Sequence, residues 1–348
     1  MRSAECGIAK VARRTLVVVI SVCIILAIAG CGASRAPDAQ IAFADDNDTD
    51  RVAEPPVSNA VITMQPQELP QPLGSSAEQP LNFLFFSDTQ ASPESPDYSD
   101  FGELLSQALS QNNTAGLVVF GGDIVNDDSE WQNFQQSAGA TLDSFATMAV
   151  PGNHDRYDML VSQFDYPLKT PDTHGAGIFY SFAAGPVFFI MLDSNVMGAA
   201  EPTDIEWLQG ELQSEEARQA DWRIAVMHHP MWPVADIPKD ILRAETMREC
   251  FLPVMEEFGV SLIICGHQHV YARTLEMSGE AASSGVSGII QIMAASGDKA
   301  TYSAGERDYV VAGDSAPNYL SVLANSEILT VTAYNAEHRV IDSVTMRK

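Results

Sequence analysis

The chain has 348 residues, 46% of them hydrophobic, and a formal net charge of -27 at pH 7. That length and composition suit one large domain with tails. The acidic balance excludes nucleic-acid binding by a basic groove, which needs clustered Lys and Arg. It also repels anions at long range, so a site that handles phosphate must supply its own positive charge, as bound metal cations do.

At the N-terminus, Arg2, Lys10, Arg13 and Arg14 form a basic region ahead of an apolar run from Leu16 to Ala29. The run is shorter than the roughly 20 residues a spanning helix needs, and it fits the core of a secretory signal peptide. It ends in Ile28-Ala29-Gly30-Cys31, and small residues before a Cys resemble the lipobox of bacterial lipoproteins. Residues 1–30 are therefore expected to be a signal peptide and Cys31 the lipidated residue. The alternative is an uncleaved anchor. Both place the remainder outside the cytoplasm, as a cell-envelope protein held to the membrane through its N-terminus. Residues 31–80 read as a linker rich in Ala, Asp, Pro, Gln and Ser, including Asp45-Asp46-Asn47-Asp48 and Pro55-Pro56. Without sustained periodicity it is expected to be disordered and to hold the domain off the bilayer.

From residue 81 to 348 the pattern is that of one α/β domain. Leu81–Ser87 is a short apolar run that predicts a buried strand, and Asp100–Gln111 predicts a helix. Gly116–Phe120 is a second strand, Glu130–Phe145 helical, and Thr147–Val150 a third strand. Ile178–Phe182 and Val187–Leu192 read as paired strands. A helix over Asp204–Glu216 has Thr203 as its N-cap. Arg223–Met227 is a strand, Ala244–Phe258 a helix and Val260–Cys265 a strand. Four more strands follow, Gly288–Ala294, Tyr319–Ala324, Ile328–Tyr334 and Val340–Met346. The five cysteines are too few for a disulfide scaffold. Cys250 and Cys265 either pair or stay as buried thiols.

Every cluster of Asp, Asn or His follows one of these strands: Asp88-Thr89-Gln90, Gly122-Asp123, Asn153-His154-Asp155, His228 and His267-Gln268-His269. Ligand sites in open α/β sheets collect beyond the carboxyl ends of strands, so five distant ends can converge on one pocket. Carboxylate oxygen and neutral imidazole suit Zn, Mn or Fe without cysteine. Glycines before Asp123, Asn153 and His267 let the backbone turn off the strand. Singly, each cluster reads as turn chemistry or a core histidine. Together, four of the seven histidines fall in them and a fifth, His229, adjoins one, and that concentration favours a metal site. Trp131, Trp207, Trp222 and Trp232 read as packing, with Trp232 near enough to His228 to line a pocket. Arg156 and Tyr157 lie close enough in sequence to touch a substrate, and His174 and His338 carry no motif.

The ordered set Asp-x-Gln, Gly-Asp, Gly-Asn-His-Asp, His and Gly-His-x-His, over roughly residues 82–275, resembles the calcineurin-like metallophosphoesterases. Val226-Met227-His228-His229-Pro230 and Gly266-His267-Gln268-His269 are similar to the purple acid phosphatase branch. The resemblance implies a four-layer αββα sandwich of two mixed β-sheets flanked by helices. It implies two metal ions, divalent or trivalent (Fe, Mn or Zn), and hydrolysis of phosphate esters on a phosphorylated small molecule or nucleotide. Asp88 and His269 would bind one metal, Asn153, His228 and His267 the other, and Asp123 would bridge them. His154 would meet the phosphate or leaving group as a general acid, with Asp155 orienting it. Two departures stand out. Gln90 replaces the usual His and would be a weak ligand of the first metal, and Asn126 stands where the purple branch has a metal-binding Tyr. The resemblance leaves phosphodiesterase or nucleotidase activity, and a lapsed metal-containing binding protein, as alternatives.

Overall fold

A computed structural model describes residues 80–92, 97–164, 178–279, 281–282, 288–299, 302 and 306–348. The signal segment, Cys31, the linker and His174 lie outside them. Among the described residues no helix is long and apolar enough to cross a membrane.

In chain order the strands are β1 (Leu81–Phe86), β2 (Leu117–Phe120), β3 (Ala146–Ala149), β4 (Tyr180–Ala184), β5 (Val187–Leu192), β6 (Trp222–Met227), β7 (Leu262–Cys265) and β8 (Val270–Thr274). They continue as β9 (Met277–Ser278), β10 (Ala281–Ala282), β11 (Ile290–Met293), β12 (Val310–Ser315), β13 (Asn318–Ala324), β14 (Ile328–Asn335) and β15 (Val340–Arg347). One sheet has six strands in the order β15-β14-β13-β1-β2-β3, and a second has seven in the order β12-β8-β11-β7-β6-β5-β4. β1, β2 and β3 run parallel, as do β5, β6, β7 and β11. Antiparallel strands extend both sheets, so each is mixed.

Period-2 alternation along β5 shows how the sheets pack. Val187, Phe189 and Met191 face the core shared with the first sheet, where Phe189 meets Phe83 of β1 edge-on at 5.1 Å. Phe188, Ile190 and Leu192 point the other way, into a second core with Leu208, Leu212, Met247 and Phe251 of the outer helices. On the far side of the first sheet, the Ser99–Gln111 helix buries Phe101, Leu104, Leu105, Ala108 and Leu109, and Phe101 lies 5.7 Å from Phe86. Helix, sheet, sheet and helix thus form the expected four layers.

Helix boundaries moved where local chemistry outweighed periodicity. The helix expected over Asp204–Glu216 runs from Pro202 to Leu212, capped at Glu201 rather than Thr203. Proline suits a first helical position because its missing N–H has no intrahelical partner there. A separate turn, Glu215–Gln219, is capped by the Ser214 hydroxyl. The expected Ala244–Phe258 helix is two helices, Pro238–Cys250 and Leu252–Glu257, each with a proline in its first turn. Residues 128–142 form a 3-10, α and π succession in place of one regular helix. β8 and β12 were not anticipated: β8 follows directly on the His-Gln-His run, and β12 is largely exposed. Cys265 is a buried free thiol.

Candidate metal centre

The carboxyl ends of β1, β2 and β3 in one sheet and of β6 and β7 in the other carry Asp88, Asp123, Asn153, His228 and His267 to the seam between the sheets. Four of the site residues leave their strands with left-handed backbones: Asp88 (φ 48°), Asp123 (φ 52°), His267 (φ 77°) and His269 (φ 48°). Such conformations cost an L-residue about 1–3 kcal/mol each and persist only where the surroundings fix them. Hydrogen bonds do so here. Asp88 N–H donates to the Gly122 carbonyl at 2.9 Å. The Asp88 carboxylate accepts the Ser87 hydroxyl at 2.8 Å and the His267 N–H at 2.8 and 3.0 Å. Asp123 Oδ1 accepts the His154 N–H at 2.9 Å. Two glycines make room for the carboxylates. A Cβ on Gly152 would lie 2.1 Å from Asp123 Oδ1, and one on Gly266 2.2 Å from Asp88 Oδ2.

One ligand atom each from Asp88, Asp123 and His228 falls within 4.8 Å of the others, and all three residues are buried. His269 Nε2 lies 3.4 Å from Asp88 Oδ1, and His228 Nε2 3.4 Å from Asp123 Oδ2. His228 Nδ1 is turned to the Gly121 carbonyl at 2.9 Å, which leaves Nε2 for the pocket. His228 Nε2 and Asn153 Oδ1 are buried without a hydrogen bond, and His267 Nε2 is buried against Asp240 Oδ1 at 3.0 Å. Buried polar atoms are rarely left unpaired, and neutral nitrogen and oxygen donors beside two carboxylates are what a borderline metal ion accepts. The residues therefore fit metal ions. Protonation behaviour without metal agrees. Burial, with the Asp123 charge, pushes Asp88 up to about 7. Burial works against charge on His228 too, but Asp123 and Asp88 together raise it to about 9. Asp123 suffers the same burial, yet His228 and His154 hold its carboxyl below the usual range.

Residues 81–271, more than half of the chain, match the calcineurin-like phosphoesterase family. The chain belongs to that family. An uncharacterized protein of Mycobacterium tuberculosis is 29% identical over 153 residues, 38% of this chain and 28% of that protein. Purple acid phosphatase 15 of Arabidopsis thaliana is 24% identical over 152 residues, 41% of this chain and 27% of that one. The chain thus covers less than a third of either relative's length. The fold is similar to that of a purple acid phosphatase from yellow lupin (Lupinus luteus) seeds, with a TM-score of 0.66 and 16% identity over 80% of this chain and 55% of that one.

In this calcineurin-like phosphoesterase the expectation that Asp155 orients His154 does not hold, and two further residues have partners outside the candidate ligand set. Gln90, expected as a weak metal ligand, has both amide atoms engaged. Its Oε1 accepts from Lys299 Nζ at 3.1 Å, and its Nε2 faces the Val125 carbonyl at 3.4 Å. Asn126 does not reach into the centre either, because its side-chain amide donates to the Ala91 carbonyl and to Glu130. Asp155 does not orient His154. Its carboxylate accepts the backbone N–H groups of Asp123 (2.7 Å), Ile124 (3.1 Å) and Gly152 (2.9 Å). His154 is exposed and is held instead by Nδ1 on the Asn126 carbonyl at 3.0 Å.

Two residues at the centre carried no sequence signal. Asp240, buried on the Pro238–Cys250 helix, lies 3.0 Å from His267 Nε2 and accepts the Gln268 amide at 2.8 Å. Burial opposes its charge, but His267 and Gln268 hold its carboxyl below the usual range. Lys299 follows β11 and reaches both Gln90 and His154. Arg156 is spent on Asp128 and Asp158, and Trp232 is core, its indole donating to the Gly279 carbonyl.

Proposed function

We propose that the chain is a metal-dependent phosphoesterase acting on phosphomonoesters, tethered by a lipid on Cys31 to the outer face of a bacterial membrane. The observation that carries the catalytic reading is the convergence of Asp88, Asp123 and His228 within 4.8 Å, with His228 Nε2 and Asn153 Oδ1 buried there without hydrogen bonds. Asp88 and His269 would hold one ion, Asn153, His228 and His267 a second, and Asp123 both. Bound there, the ions supply Lewis-acid charge for the phosphoryl oxygens and for a nucleophilic water. Gln90 would be at most a weak ligand of the first ion, because its oxygen already accepts from Lys299.

The chain's own residues orient and protonate. Nδ1 of His154 donates to the Asn126 carbonyl, so the ring presents Nε2 outward, the atom suited to exchange a proton with a leaving oxygen. Asp123 and Asp88 are fixed by backbone N–H groups before any ligand arrives, which is the preorganisation that such catalysis requires.

The test measures metal by ICP-MS and turnover of p-nitrophenyl phosphate and bis-p-nitrophenyl phosphate, with and without chelator. About two ions per chain and chelator-sensitive monoester turnover are expected. His228→Ala should lose metal, and His154→Ala should keep metal but lose most of kcat. Turnover insensitive to chelator, or equal metal content and activity in the two variants, refutes the reading. Membrane fractionation of wild type against Cys31→Ser tests the tether: release of the wild-type protein in the soluble fraction refutes it.

A further inference from the structure

The backbone after β11 is stitched to the end of β1. Ser296 N–H donates to the Ser87 carbonyl at 2.7 Å, and Gly297 N–H to the Asp88 carbonyl at 2.9 Å. Gly297 approaches so closely that a Cβ there would lie 2.3 Å from the Gln90 carbonyl oxygen. Asp298 ties the same segment down by accepting the Ser92 N–H at 2.6 Å. The chain then delivers Lys299, half-buried, to the rim of the metal centre.

Lys299 Nζ has two neighbours in hydrogen-bond reach, Gln90 Oε1 at 3.1 Å and His154 Nε2 at 3.3 Å. Gln90 Oε1 is a neutral acceptor, and His154 Nδ1 donates to the Asn126 carbonyl, so Nε2 can accept when the ring is neutral. An ammonium has three donors, and here two are used. Among the described residues no carboxylate pairs with Lys299. A half-buried cation with no anionic partner among the described residues, in a chain of net charge -27, is poised for an anionic ligand. Lysine binds phosphate as a point charge.

We propose that Lys299 is a substrate-contacting residue: its ammonium, anchored on Gln90 beside His154, binds a non-bridging phosphoryl oxygen and favours dianionic monoesters over monoanionic diesters. This rests on the phosphoesterase reading above. Gln90 then serves to hold the lysine. The charge logic is direct, since a monoester carries one more negative charge than a diester and gains more from a fixed cation.

The full chain and its Lys299→Met and Lys299→Arg variants are compared in metal content, in binding of inorganic phosphate by calorimetry, and in kcat/KM on the same two esters. Lys299→Met should keep parental metal content and bind phosphate about tenfold more weakly, the effect of losing one charge-assisted hydrogen bond. Its monoester kcat/KM should fall about tenfold or more and its diester value by less than about threefold. Lys299→Arg should recover part of the monoester loss. Unchanged phosphate affinity, equal losses on both esters, or loss of metal with the lysine overturns the assignment. A parent protein that holds no metal refutes the phosphoesterase reading by itself. In that case phosphate affinity of parent against Lys299→Met still decides the role of Lys299.

Discussion

Removing the Asp155 carboxylate separates two accounts of that residue. As an orienter of His154, Asp155 would affect kcat alone. As the acceptor of three backbone N–H groups, it fixes the left-handed turn at Asp123 and the Gly152 backbone. Asp155→Ala strands three buried donors. Burial, with the Asp123 charge, raises Asp155 to about 7, so near neutrality it is partly the neutral acid and its bonds are of ordinary strength. At about 1 kcal/mol per bond, the loss is about 3 kcal/mol, or about 6–12 °C in Tm for a domain of this size. Urea unfolding of the metal-free full chain measures the first figure, and calorimetry the second. Because the Asp123 turn loosens, metal affinity should fall as well. A loss below about 1 kcal/mol, with metal binding intact, would refute the reasoning.

Other outcomes follow from the same geometry. Gly152→Ala drives a methyl to 2.1 Å from Asp123 Oδ1 and should cost about 1–3 kcal/mol together with metal content, read by unfolding and ICP-MS. Asp240→Ala removes the carboxylate behind His267 and should weaken metal binding about 10–100-fold in a competitive chelator titration, with the circular-dichroism spectrum unchanged. Stability of the metal-free protein should fall as pH rises from 7 to 9. His228 is raised from its ordinary 6.5 to about 9, and Asp88 and Asp155 to about 7. In that window the folded state therefore binds more protons than the unfolded one, and the stability they confer is lost as they leave. A Tm that rises over that window in chelator would contradict the proton assignment.

The strand-end clusters were legible because buried apolar runs and the polar residues that end them are both local signals. What stayed hidden was contact between distant segments. Nothing near Lys299 marks it as a site residue, and it reaches the centre only because residues 296–297 hydrogen-bond to residues 87–88. Asp240 lies ahead of the helix expected from Ala244, whereas the helix in fact starts at Pro238, where proline suits a first helical position. Asp155 follows His154 directly, and the family resemblance implied that it orients that ring. The turn instead sends the exposed imidazole outward and the carboxylate back into the chain. Gln90 could be identified as a departure, but its partner could not be named.

The split of the centre between two sheets also orders its assembly. Asp88, Asp123 and Asn153 are made first and His228, His267 and His269 more than 70 residues later. β1, which ends in Asp88, pairs with β13, so its own sheet is incomplete until residues 318–324 exist. An emerging chain therefore offers two carboxylates and an amide but none of the three candidate ligand imidazoles, and cannot form the centre. Metal capture at a complete centre can come only after both halves of the chain exist and have met.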